Sequence, residues 1–205
     1  HQGQRVKVSG VVTARPGAGV LFMQQGTVGL EVKTVRETPA VKVGDVVEVL
    51  GFPLLGQFKP LLSDAIYRRV GRGEGVLPVA ISAGTATRGE HDAELVTIRA
   101  RLLNRVQRGG EHQLILQDGS VLFNAEWTQA GVGDRLGDIR ADSVLDVTGV
   151  CVAEREENWD ATLKGQRVRF RLLLRSPEDI VTITRPPWWT TPRLLWLLAG
   201  ITLVF

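Results

Sequence analysis

"VLFMQQGTVGLEVK" (Val20 to Lys33) and "QLILQDGSVLFNAEW" (Gln113 to Trp127) share one plan. In each, a short polar step, "QQGT" or "QDGS", separates two apolar-rich runs. Gly26 and Gly119 can supply the positive φ that a tight turn demands, so each stretch reads as a β-hairpin. The likeness extends outward at an offset of about ninety residues, the kind of self-similarity that marks duplicated units. "RVKVSGVVT" (Arg5 to Thr13) matches "LVTIRARLL" (Leu95 to Leu103), and "VGDVVEVLGF" (Val43 to Phe52) matches "ADSVLDVTGV" (Ala141 to Val150). "PLLSDAIYRRV" (Pro60 to Val70) matches "LLLRSPEDIVTI" (Leu172 to Ile183). The four blocks keep their order in both halves.

Each block reads as strand. Val6, Val8 and Gly10 alternate with Arg5, Lys7 and Ser9, and "DVVEVLG" is β-branched and bounded by Gly44 and Gly51. A strand, a hairpin, another strand and a final strand give five short strands per half. That is the inventory of an OB-like barrel. The expected architecture is all-β: two tandem OB-like barrels followed by the start of a C-terminal transmembrane α-helix. Residues 1–72 form the first barrel, 73–93 a linker with a short helical turn capped by Ser82, 94–185 the second barrel, and 186–205 a juxtamembrane segment entering the span. The segment "TVRETPAVK" (Thr34 to Lys42) contains Pro39 and is read as a loop.

Composition agrees with a globular chain: 43% hydrophobic and 23% charged residues, with a net charge of +3. The single cysteine, Cys151, excludes an intrachain disulfide and lies in a predicted strand, where an inert buried thiol is expected. His1, His91 and His112 are scattered without metal-ligand spacing. Glu154, Glu156, Glu157 and Asp160 lack the ligand order and central glycine of a calcium loop and read as a solvated stretch. Neither a phosphate-binding glycine loop, a zinc-protease histidine pair nor a serine elbow is present, so no catalytic, cofactor-binding or metal residues are assigned.

Two features remain. In "RVRFRLLLR", Arg167, Arg169 and Arg171 alternate with apolar residues, which puts three guanidiniums on one strand face. They form a possible anion or partner face, or a solvated face neutralised by the acidic stretch nearby; the second is preferred. The chain ends "RPPWWTTPRLLWLLAGITLVF", with no charge from Leu194 to Phe205. A spanning helix needs about twenty apolar residues. This run is therefore read as an interrupted span, with Trp188, Trp189 and Trp196 at the membrane interface. A single-strand binder would present stacking aromatics on its second and third strands. Only Phe22, Phe123 and Trp127 fall there, and Phe22 reads as core, so nucleic acid is not expected as a partner.

The ordered motifs "VKVSGVVT", "LFMQQGTVGLEV", "VGDVVEVLGF" and "RPPWWTTPRLLWLLAG" resemble the extracytoplasmic sensor region of bacterial membrane-bound two-component sensor histidine kinases or related diguanylate cyclases. Gln25 stands where that pattern usually has Asp. The resemblance implies a sensing segment without catalytic residues, held in the bacterial inner membrane with residues 1–187 outside the cytoplasm. It implies a small ligand or periplasmic partner, homodimerisation of the full-length protein, and a rearrangement of the two barrels passed to a cytoplasmic output domain. The alternatives are an OB-fold nucleic-acid-binding protein with a hydrophobic C-terminal anchor, or a structural periplasmic module.

Overall fold

The computed structural model describes residues 3–35, 41–108, 110–128, 139–155 and 168–185. Strands β1 (Val6–Gly17), β2 (Val20–Gln25), β3 (Val28–Thr34), β4 (Asp45–Leu55) and β5 (Pro60–Arg72) close into a barrel in the order β1-β2-β3-β5-β4. Then follow β6 (Val79–Ile81), the helix α1 (Ala83–Ala86), β7 (Leu95–Arg108), β8 (Glu111–Asp118), β9 (Val121–Thr128), β10 (Val144–Arg155), β11 (Val168–Leu173), a 3-10 turn at Pro177–Asp179 and β12 (Ile180–Thr184). The pairings β7-β8-β9-β11-β10, closed by β10 on β7, repeat the first barrel. In both, the third and fifth strands run parallel: Val32 faces Leu62, and Ala125 faces Leu172. Every other described pair within the two rings is antiparallel, which is the OB arrangement.

Alternation explains why these segments pair this way. Along β4, Val47 and Val49 are fully buried while Val46, Glu48 and Leu50 point outward. Along β10, Leu145 and Val147 play the same inward role. A period of two puts one set of side chains inside a closed sheet and the other outside. The hairpins pair Gln25 with Val28 and Asp118 with Val121, leaving two-residue loops that begin with Gly26 (φ 60°) and Gly119 (φ 59°). Inside the second barrel Phe123 stacks on Phe170, ring centres 4.9 Å apart.

The fifth strand departs from expectation. In the first barrel β5 pairs with β4 from Pro60 to Arg72, interrupted by an irregularity beside Asp64, whose φ is 48°. In the second barrel the equivalent strand is cut in two. β11 pairs with the end of β10, the chain turns at Pro177, and β12 resumes on the same edge with Ile180 opposite Val147. Pro177 cannot donate to a ladder, so the strand breaks there.

The segment between the barrels is more than a linker. β6 adds to β7 in parallel. The short helix α1 is capped by Ser82, which accepts from the Thr85 backbone at 3.1 Å, and the Ala83 N–H donates to Asp118 Oδ2 at 2.8 Å. Ala83 and Ala86 are fully buried in the second barrel's core cluster.

The barrels pack through a separate apolar cluster: Ala14 and Phe22 of the first against Ala93, Leu95, Val150 and Leu173 of the second. Phe22 is core, as expected, but in the cluster between the barrels rather than inside the first. It shares an outward direction with Ala14 and Glu31, its cross-strand partners, whereas Leu21 and Met23 fill the barrel.

The expected membrane span falls on residues 186–205, outside the described residues. Among the described residues no helix is long and apolar enough to cross a membrane. α1 has four residues, far short of the ~20 required. Residues 186–205, with Trp188, Trp189 and Trp196, lie outside the described residues, as do His1, Arg167, Glu156, Glu157, Asp160 and most of the loop expected after Thr34.

Candidate functional site

An OB barrel offers ligands the outer face of its second and third strands, flanked by the loops after its first and fourth strands. This chain carries two such faces, and the fold treats them differently.

In the first barrel the face of β2 and β3 is occupied by the second barrel. Gln24 is buried; its Nε2 donates to the Gly26 carbonyl at 2.9 Å, which holds its Oε1 outward to accept the Leu95 backbone N–H at 2.9 Å. Gly29 lies across from Gln24, where a Cβ would stand 2.1 Å from the Ala93 carbonyl oxygen. Only a glycine allows so close an approach. The loop after β4 closes over the same junction. Lys59 Nζ pairs with Glu94 Oε1, Gln57 Oε1 accepts the Arg155 backbone N–H at 2.8 Å, and the Arg155 guanidinium sits 5.0 Å over the Phe58 ring. His91 Nδ1 lies 2.8 Å from Glu94 Oε2. The first barrel's ligand side is thus an internal dock.

In the second barrel the corresponding face, formed by β7, β8 and β9, has no such cover among the described residues. Its outward side chains form cross-strand rows. Arg101 faces Gln117, which faces Leu122; Asn104 faces Ile115, which faces Asn124; Val106 faces Gln113, which faces Glu126; Arg108 faces Glu111. Gln113 Nε2 donates to Glu126 Oε1 at 3.1 Å. At one end, beside Arg108, Glu111, Gln113 and Glu126, a hollow of about 210 Å³ reaches Trp127. Trp127 is buried and stacks on His112, rings 4.5 Å apart and 7° from parallel.

Several arginines elsewhere on the two barrels are held by carboxylates. Arg99 is held by Asp146 at 2.7 and 2.8 Å, Arg69 by Asp45 at 2.9 Å, and Arg175 by Asp179. Those pairings lower the carboxyl pKa of Asp45, through the Lys42 N–H and then Arg69, and that of Asp146, through Arg99. Arg101 and Arg108 are exposed and have no carboxylate partner among the described residues. A second hollow of about 260 Å³ lies on the first barrel beside Glu48. Its charges satisfy one another, Glu48 being held by Lys7 at 2.9 Å and by Arg68 at 2.7 Å.

Of the residues singled out by sequence, Arg169 and Arg171 point outward from β11, next to this face, with Arg171 beside Asn124. Arg171 pairs with Glu154 at 3.0 Å, and its Nε ends 3.8 Å from Glu126 Oε2, too far for a hydrogen bond. Cys151 is fully buried, and burial, with the nearby Asp92 and Glu94 carboxylates, pushes its thiol up to about 12. Among the described residues no cluster of three His, Cys, Asp or Glu could hold a metal ion. Sequence reasoning missed Arg101, Arg108, Gln113, Gln117 and Leu122. A signal was present: a Gln two residues before each hairpin glycine.

No family model and no curated protein matches the chain. Solved structures do. A putative aspartyl-tRNA synthetase from Leishmania major is 21% identical over 55% of this chain and 22% of that one, TM-score 0.39. The present chain therefore spans about a fifth of that enzyme's length. A murine DNA-binding protein solved with double-stranded DNA is 7% identical over 89% of this chain and 98% of its own, TM-score 0.41. An Ifi202 HINa domain in complex with 20bp dsDNA is 6% identical over 87% and 97%, TM-score 0.38. Two of these neighbours are solved on DNA, a class of partner the sequence reading did not expect.

Proposed function

We propose that the protein is a nucleic-acid-binding double OB barrel and that a single strand lies across the outer face of β7, β8 and β9. One observation carries this reading. Of two equivalent ligand faces, the first is filled by the protein itself. Among the described residues the second is open, lined by side-chain amides, by Glu111 and Glu126, and by Arg101 and Arg108, which have no carboxylate partner there. Arg101 and Arg108 are placed to meet phosphates, and Gln113, Gln117 and Asn124 can exchange hydrogen bonds with sugars and bases. No aromatic ring faces outward from β8 or β9, since Phe123 and Trp127 are both buried. Affinity therefore rests on phosphate contacts more than on stacking, and binding is salt-dependent.

The test is fluorescence anisotropy of a labelled single-stranded oligonucleotide titrated with the protein. With the two phosphates that Arg101 and Arg108 would engage, affinity should fall roughly sevenfold between about 50 and 200 mM salt. Replacing Arg101 and Arg108 together by alanine should weaken binding and flatten the salt dependence. Arg171→Ala should do less, because that guanidinium already serves Glu154. No binding at about 50 mM salt removes the proposal.

A further inference from the structure

The two barrels share a device that only the first one uses internally. In each, the glutamine two residues before the hairpin glycine donates its Nε2 to that glycine's carbonyl: Gln24 to Gly26 at 2.9 Å and Gln117 to Gly119 at 3.0 Å. The bond fixes the amide plane, so the oxygen is aimed off the sheet without further ordering cost. In the first barrel the aimed oxygen receives the Leu95 N–H. In the second, nothing among the described residues donates to it.

The flanks of the two glutamines differ in kind. Gln24 lies between Val11 and Gly29, an apolar neighbour and a gap, which suits a close-packed polypeptide. Gln117 lies between Arg101 and Leu122. Leu122 fills the space that Gly29 leaves empty, and 61% of its surface is exposed. A polypeptide could not approach there as Ala93 approaches Gly29. The row instead offers a cation, a fixed amide and a flat apolar surface across three strands, spanning about 10 Å. That order matches a nucleotide, with the phosphate at Arg101, the base edge at the Gln117 amide and the base face against Leu122.

We infer that Gln117 is the base-reading residue of the open face, receiving a ring or exocyclic N–H of a nucleobase on its Oε1 while Leu122 covers the base and Arg101 holds the adjoining phosphate. The inference rests on the nucleic-acid reading above and assigns it a contact to the base itself, beyond the phosphate backbone.

The experiment compares two labelled single strands of equal length and charge, one carrying bases and one abasic throughout, against the protein, Gln117→Ala and Gln117→Glu. Far-ultraviolet circular dichroism and a thermal melt confirm that each variant is folded. The protein should prefer the base-bearing strand by on the order of tenfold, the value of one good amide–base contact. Gln117→Ala should erase most of that preference and leave the abasic strand's affinity within about twofold, because no phosphate contact is touched. Gln117→Glu keeps an acceptor but loses the tether to Gly119 and sets a carboxylate opposite Arg101, so it should weaken both strands and reduce the preference as well. Equal affinity for both strands, or an equal loss on both in Gln117→Ala, overturns the inference while leaving the nucleic-acid reading standing. Absence of binding to either strand at low salt overturns both.

Discussion

Gly29→Ala tests whether the two barrels are welded at the first barrel's ligand face. An added Cβ would lie 2.1 Å from the Ala93 oxygen, 2.3 Å from its carbonyl carbon and 2.7 Å from the Glu94 nitrogen. All three are backbone atoms, so no side chain can swing aside. A normal carbon–oxygen contact is roughly 3.3 Å, so the opposing chain must retreat by about 1.2 Å. It cannot retreat alone. The Ala93 N–H donates to the Cys151 carbonyl at 2.7 Å, and the Cys151 N–H to the Glu94 carbonyl at 2.9 Å, which ties residues 93 and 94 to the second barrel. The barrels must therefore part, and the Gln24–Leu95 bond is the first to go. Loss of that bond costs about 1 kcal/mol. Overpacking and loosened contacts around Phe22, Leu95 and Leu173 add about 1–3 kcal/mol. The sum, about 2–4 kcal/mol, corresponds to a fall in Tm of roughly 4–16 °C for a chain of this size. The measurement is urea unfolding followed by circular dichroism, with Gly71→Ala as control, since a Cβ there meets nothing within 4 Å. If Gly29→Ala lies within about 0.5 kcal/mol of that control, the close approach is not a feature of the folded protein and the internal dock is refuted.

Three further outcomes are expected. Gly119→Ala should cost about 1–2 kcal/mol from backbone strain alone, because its φ is 59° and a Cβ there would meet nothing within 4 Å; an unchanged urea midpoint contradicts this. Cys151, with its thiol pushed up to about 12, should resist a thiol reagent at pH 8 in the native protein and react once denatured; rapid native labelling would place it at the surface. Burial raises the Asp92 carboxyl above its ordinary value, against the Ala153 N–H that lowers it. Above the ordinary carboxyl value of 3.8 the unfolded chain gives up this proton first, so ionisation costs stability as pH rises toward the folded value. Asp92→Asn should therefore gain on the unmodified protein as pH rises from the ordinary carboxyl value in paired urea titrations, and a gap that stays flat or narrows there would refute the assignment.

Much of the fold was legible in local pattern. The glycines of "QQGT" and "QDGS" specify the hairpins, because each takes a positive φ that few other residues adopt. Alternation in β4 and β10 specifies which side chains enter each barrel. The broken fifth strand was less legible, since "LLLRSPEDIVTI" keeps its apolar character across a proline that divides it. The site was hardest to read. Arg169 and Arg171 stood out because they alternate strictly, while Arg101 and Arg108 are separated by a bulge at Leu103 that hides their shared direction.

Two units of like plan can be read from local pattern, because hairpins and two-residue alternation depend on neighbours only a few positions apart. The sequence also placed a glutamine at the same point in each. Which of the two would be spent inside the protein and which left open was decided by tertiary structure alone. Gln24 meets Leu95 across seventy-one positions of chain, and Gly29 meets Ala93 across a similar gap. Those contacts exist only when the barrels close on each other, and no local pattern carries the distance between them.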